Sequence, residues 1–122
     1  MKVIIAGSRD FDDYALLREK CDFFLSGVQV ESVICGECRG ADLLGKAYAK
    51  DRGIPVESFP AKWKVFGKSA GMRRNKEMAA AGDALIAFWD GKSSGTKNMI
   101  DCMKDKPVRI VRTDWQKGED NV

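Results

Sequence analysis

Ala84-Leu85-Ile86-Ala87-Phe88-Trp89-Asp90-Gly91-Lys92-Ser93-Ser94-Gly95-Thr96-Lys97-Asn98 joins an unbroken apolar run to an amphipathic one through a short, polar, glycine-bracketed turn. The apolar run reads as a strand buried on both faces, as strands of parallel sheets are. Gly95 to Lys104 reads as a helix, so the turn ends at a helix N-terminus, where free N–H groups and the helix dipole favour anions. Gly91 and Gly95 permit close backbone approach, and Ser93, Ser94 and Thr96 set hydroxyls beside those amides. Ordinary helix caps use the same residues. What decides between a cap and a binding turn is whether other loops converge here.

Upstream, the same alternation repeats. Lys2 to Ala6 is a continuous apolar run stopped by Gly7, and Glu31 to Cys35 is a shorter one stopped by Gly36. Ile54 to Phe59 is a third, with Pro55 placing it at a strand start or an edge. Between them lie helical periods. Tyr14, Leu17, Cys21, Phe24 and Leu25 form one, capped by Asp12 or Asp13 and ended by Gly27. Ala41, Leu43, Leu44, Ala47 and Tyr48 form the next, within Arg39 to Asp51. Pro60 to Lys68 has no clear period and reads as a long loop, a feature more often functional than a short one. Ser69 to Ala81 resumes a helix. After the opening segment, Pro107 to Val111 supplies a fifth strand, and residues 113–122 read as a polar tail on a domain spanning 1–112. Strands alternating with helices in this way predict an α/β, doubly wound, mainly parallel sheet of about five strands. Its strand-to-helix loops share one rim, where ligands bind.

The chain has 122 residues, enough for one domain with a core of its own. Its net charge of +3 is small and its acidic and basic residues are interspersed, which argues against a duplex-DNA partner. Met1 to Ala6 is far too short for a membrane span, so a cytoplasmic protein without a membrane partner is expected. There is no histidine. That excludes imidazole bases, His-containing nucleophile triads and His-ligated zinc; no metal site and no cofactor are expected. Cys35-Gly36-Glu37-Cys38 is a Cys-x-x-Cys pair. It reads as a redox dithiol, as half of a zinc site, or as two reduced thiols.

Several residues on the expected rim have chemistry to offer. Gly7-Ser8-Arg9 can present amides and a guanidinium to phosphate. In Arg39-Gly40-Ala41-Asp42, Gly40 suits close backbone approach, and Asp42 suits either ribose hydroxyls or the helix cap. Arg73-Arg74-Asn75-Lys76 spans one helical turn, so its cations fan out rather than share a face. Trp63 and Phe66 can stack a base or pack as a lid. Trp89 reads as core. Asp90 suits ribose, proton transfer, or the holding of its own turn.

Taken together and in order, five motifs resemble the SLOG superfamily, in particular its small YspA-type, YpsA-related branch. They are Ala6-Gly7-Ser8-Arg9-Asp10-Phe11; Gly36 with Arg39-Gly40-Ala41-Asp42; Pro60-Ala61-Lys62-Trp63; Gly67 with Ala70-Gly71 and Arg74-Asn75; and Ala87-Phe88-Trp89-Asp90-Gly91 with Ser93-Ser94-Gly95-Thr96. The resemblance implies a Rossmann-like nucleotide-binding fold. Its ligand-binding residues would be Gly7, Ser8, Arg9, Gly36, Gly40, Asp42, Trp63, Arg74, Asn75, Asp90, Ser93, Ser94, Gly95 and Thr96. The expected function is to bind a nucleotide or nucleotide derivative, such as one related to NAD or ADP-ribose, as a sensor or ligand-handling module. LOG-type phosphoribohydrolases of the same superfamily carry Pro-Gly-Gly-x-Gly-Thr-x-x-Glu and an Arg from a preceding helix. Here Gly95-Thr96 is kept and Arg74 matches the Arg, but Met99 stands in the place of the catalytic Glu. A nucleotide N-glycosidase would therefore need other groups, with Arg74 and Asp90 as candidates. DprA-like relatives add single-stranded nucleic acid as a third possibility, and related folds pairing through helices add a homo-oligomer.

Overall fold

The computed structural model describes residues 1–114. Its elements in order are β1 (Lys2–Gly7), α1 (Tyr14–Phe24), β2 (Ser32–Cys35), α2 (Ala41–Asp51), β3 (Val56–Ser58), α3 (Trp63–Phe66), a 3-10 turn (Gly67–Ser69), α4 (Ala70–Ala81), β4 (Ala84–Trp89), α5 (Ser94–Cys102) and β5 (Val108–Arg112). Every strand pairing is parallel, and the sheet order is β3-β2-β1-β4-β5. The expected doubly wound α/β fold is present, Rossmann-like and wholly parallel.

The period of two along each strand divides the core. Val3, Ile5, Val33, Ile86 and Phe88 point to one side, where Leu17 and Cys21 of α1 and Ala41, Tyr48 and Ala49 of α2 cover them. Ile4, Ala6, Ile34, Leu85 and Ala87 point to the other, against Met78 and Ala79 of α4 and Met99 of α5. Both faces are dry, which is why these strands read as continuous apolar runs. Fully burying each of Ile4, Ile5, Leu17 and Phe88 contributes about 1.5–3 kcal/mol. Helix α2 lies especially close to β1, because a Cβ on Gly45 would fall 2.6 Å from Ile5 Cγ2.

Strand β1 sits in the middle, paired with β2 on one side and β4 on the other. The chain winds outward from β1 to β3, then crosses back to β4 and winds the other way. At that reversal the loops after β1 and β4 diverge, and a crevice opens at the carboxyl edge of the sheet.

Three local expectations change. The connection from Pro60 to Lys68 contains the turn of α3 and the start of the 3-10 turn; none of α3's residues is buried, so it had no apolar period to display. Trp89 is half-buried rather than core: its indole Nε1 donates to Ser93 O at 3.0 Å, and the Arg112 guanidinium lies 5.5 Å from its ring centre. The expected tail over residues 113–122 lies outside the described residues from residue 115 onward. Among the described residues no helix is long and apolar enough to cross a membrane.

Candidate functional site

A cavity of about 560 Å³ opens at the switch crevice. The loop after β1 supplies Gly7 and Arg9, the β2–α2 segment Cys38 and Asp42, and α3 with the 3-10 turn Trp63 and Lys68. Helix α4 adds Gly71, Met72, Arg74, Asn75 and Met78, and the start of α5 adds Ser93 to Thr96 and Met99.

Its walls are built by contacts between loops. A Cβ on Gly7 would strike the carbonyl oxygen of Phe88, and Ser8 N donates to that oxygen at 2.9 Å, so the β1 loop is pinned to β4. Gly40 has φ +83, and a side chain there would strike the carbonyl oxygens of Ser8 and Arg9. The close approach that Gly40 allows is therefore between two loops of the protein. At Gly36 a Cβ would fall 2.6 Å from an Arg74 nitrogen and 2.7 Å from Asp42 Oδ2.

Arg74 reaches across the crevice from α4. Its guanidinium donates to Gly36 O, to Phe59 O at 3.5 Å and to Cys38 Sγ at 3.5 Å, while Nε donates to Asn75 Oδ1 at 3.1 Å. Buried Asn75 donates in turn to Gly95 O at 3.2 Å and Asn98 Oδ1 at 2.9 Å, tying α4 to α5. Arg9 is exposed at the opposite wall and forms no ion pair among the described residues. Between the two arginines lies Asp42, 5% exposed. It does not cap α2, whose N-cap is Gly40. Burial pushes its carboxyl up to about 6, against the opposing pull of Arg74 and the amides of Cys38 and Gly7.

At the α5 end, Ser93 is the N-cap: its Oγ accepts from Thr96 N at 3.4 Å and lies 3.1 Å from Thr96 Oγ1. The N–H groups of Ser94 and Gly95 have no protein acceptor among the described residues, and both residues line the cavity. Asp90 holds its own turn. Its Oδ1 accepts from Lys92 N and Ser93 N, both at 2.8 Å, and these bonds keep its carboxyl below the usual range.

Of the sequence-selected residues, Gly7, Arg9, Asp42, Trp63, Arg74, Asn75, Ser93, Ser94, Gly95 and Thr96 share the cavity. Gly36 and Gly40 stand behind its walls. Ser8 and Asp90 do not line it; with Asp10, Phe11, Arg112 and others they border a separate cavity of about 310 Å³ across the β1–α1 loop. There Ser8 Oγ accepts from Asp90 N at 3.1 Å, a structural tie between loops. Sequence reading missed Cys38, Lys68, Gly71, Met72 and Met78 as lining residues; only their closeness in the chain to the selected residues of the β2–α2 segment and of α4 pointed to them. Met99, in the place of the LOG-type Glu, is 2% exposed and belongs to the core beneath the cavity.

The cysteines are all free. Cys35 is buried, its Sγ donating to Asp42 O at 3.2 Å, and burial raises its thiol to about 11. Among the described residues no three acidic or thiol groups are clustered to hold a metal ion.

Residues 1–66 match the model of the YspA, cpYpsA-related SLOG family. The chain is 34% identical over 111 residues to the Gene 61 protein of Mycobacterium phage D29, an alignment covering 85% of this chain and 86% of that protein. No solved structure gives a significant match.

Proposed function

Because the chain belongs to the YspA, cpYpsA-related SLOG family, we propose that its cavity binds a nucleotide or nucleotide derivative, with NAD- and ADP-ribose-related compounds among the candidates. The supporting observation is that Arg9, Arg74, and Ser94 and Gly95 with their unpaired amides at the start of α5, line one cavity at the switch crevice. Two guanidinia and a helix N-terminus suit phosphate. Buried Asp42 suits ribose hydroxyls, and Trp63, half-exposed at the mouth, suits a base. Calorimetry with a panel of nucleotides tests this reading. Arg9→Ala, which removes no side-chain hydrogen bond or ion pair among the described residues, should weaken binding about tenfold, the loss of one charge-assisted bond. Arg74→Ala should weaken it further. A panel with no binder, or an Arg9→Ala protein with unchanged affinity, rejects the reading.

Asp42 supports a second reading, a nucleotide N-glycosidase. A buried carboxyl raised to about 6 is poised to exchange a proton near neutral pH. In that role Asp42 takes a proton from water, the water oxygen bonds to C1′ as the C1′–N bond breaks, the departing base nitrogen takes a proton from solvent, and Asp42 returns its own proton to solvent. Neither Met99 nor the turn-holding Asp90 offers this. Release of free base from nucleoside monophosphates, lost in Asp42→Asn, is the expected sign; silence across the panel leaves the binding role alone.

A further inference from the structure

From Pro60 to Lys76 the chain carries six cations, Lys62, Lys64, Lys68, Arg73, Arg74 and Lys76, and no acidic residue. Without those six the net charge of +3 becomes −3, so this one segment reverses the sign of the protein's charge. Among the described residues none of the six pairs with a carboxylate; of the fourteen other described cations, Lys2, Arg39, Lys46, Arg52, Lys97 and Arg112 do and eight do not, so it is the clustering without an intervening acid that sets this segment apart.

The segment folds as α3, the 3-10 turn and the first two turns of α4, and forms the outer lip of the cavity. On it Trp63, Val65, Phe66 and Met72 are 49%, 71%, 40% and 54% exposed. The Trp63 indole lies over Gly71, where a Cβ would fall 3.4 Å from its Cη2. The Arg73 guanidinium sits 4.4 Å from the Phe66 ring centre. Trp63, Lys68, Met72 and Arg74 also line the cavity, so lip and cavity form one continuous surface.

Clustered cations repel, and exposed rings keep apolar area in water; a polyanion with flat, unpaired bases relieves both. We propose that the lip binds single-stranded nucleic acid, with a terminal nucleotide in the cavity and the following nucleotides tracking over α3 and the start of α4. This rests on the nucleotide reading and narrows the ligand from a free nucleotide to a strand end. A duplex keeps its bases stacked inside, away from Trp63 and Phe66. A lipid surface would match the charge and the apolar groups but would leave the cavity unfilled.

Fluorescence anisotropy with a labelled, 5′-phosphorylated single-stranded dodecamer tests the proposal beside calorimetry with nucleoside monophosphates. The wild-type protein should bind the dodecamer at least about tenfold tighter than the best monophosphate, with steep salt dependence. Replacing Lys62, Lys64, Arg73 and Lys76 together by Ala touches no cavity-lining residue. It should bring dodecamer affinity down to the monophosphate level and reduce the log–log salt slope by about 0.7 per lost contact, roughly 3 in all. Monophosphate affinity should stay unchanged, which also shows that the variant is folded. Dodecamer binding no tighter than monophosphate binding, or unaffected in the variant, overturns the lip while leaving the nucleotide reading standing. A wild-type protein that binds the dodecamer but no monophosphate overturns that reading and, with it, the placement of the strand end. Preference for the duplex, or for phosphatidylserine vesicles over the dodecamer, overturns the proposal as well.

Discussion

The two sides of the cavity are made differently. The inner wall, from Gly7 through Asp42 to Arg74, Asn75 and Thr96, is a buried polar network in which loops hold one another through hydrogen bonds and glycine contacts. The outer lip, from Lys62 to Lys76 apart from Arg74 and Asn75, has exposed cations and rings with few partners. A buried network loses free energy whenever one member is removed, because its neighbours are left unsatisfied. An exposed lip loses almost nothing, because water replaces each contact. The wall should therefore govern stability, and the lip should govern recognition alone.

The largest expected effect is at Gly40. Gly40→Val puts a branched side chain at φ +83 and drives it against the Ser8 and Arg9 carbonyls; a loss of about 3 kcal/mol or more is expected in urea unfolding. A neutral result there would break the comparison at once.

Asp42 should show the opposite sign. Its native carboxyl is raised to about 6 from an ordinary value near 3.8, so the native state holds the proton more tightly than the unfolded chain does. Its contribution to stability is therefore most favourable below about pH 4 and is lost as pH rises through 6, a cost on the order of 2–3 kcal/mol at pH 7. Asp42→Asn, which keeps an acceptor for the Cys38 and Gly7 amides, should raise the melting temperature at pH 7 and leave it unchanged near pH 3.

Asn75→Ala should cost about 2 kcal/mol by removing donors to Gly95 O and Asn98 and an acceptor for Arg74. Chemical denaturation with an unchanged slope would measure it. At the small end, Lys64→Ala and Val65→Ala should each shift stability by less than about 0.5 kcal/mol. A large loss at either position would show that the lip is part of the framework.

The fold was legible in the sequence because both faces of the sheet are buried, which made β1 and β4 continuous apolar runs, while helical spacing marked α1, α2, α4 and α5. The short α3 was not, since a helix that buries nothing leaves no period. On the rim, the glycines and arginines announced themselves by type. Asp42 offered two readings, ribose or cap; Gly40 is the N-cap of α2, which removes the cap reading, and the ribose reading is the one proposed above. Asp90 and Ser8 were harder: a polar residue at a strand end looks the same whether it faces a ligand or ties two loops, and only the loop-to-loop distances separate the cases. Lys68, Met72 and Met78 carry no signature of their own and reach the cavity through the path of α3 and α4.

The central place of β1 also bears on how the chain acquires its structure. Val3 pairs with Val33 on one side and with Ala84 on the other, so β1 is completed only by a strand synthesised well after it. At ordinary translation rates of 5–20 residues per second, β4 follows β1 from the ribosome by about 4–16 s. During that interval Val3, Ile4 and Ile5 present an unpaired apolar edge, which makes β1 the segment most in need of protection from association with other nascent chains.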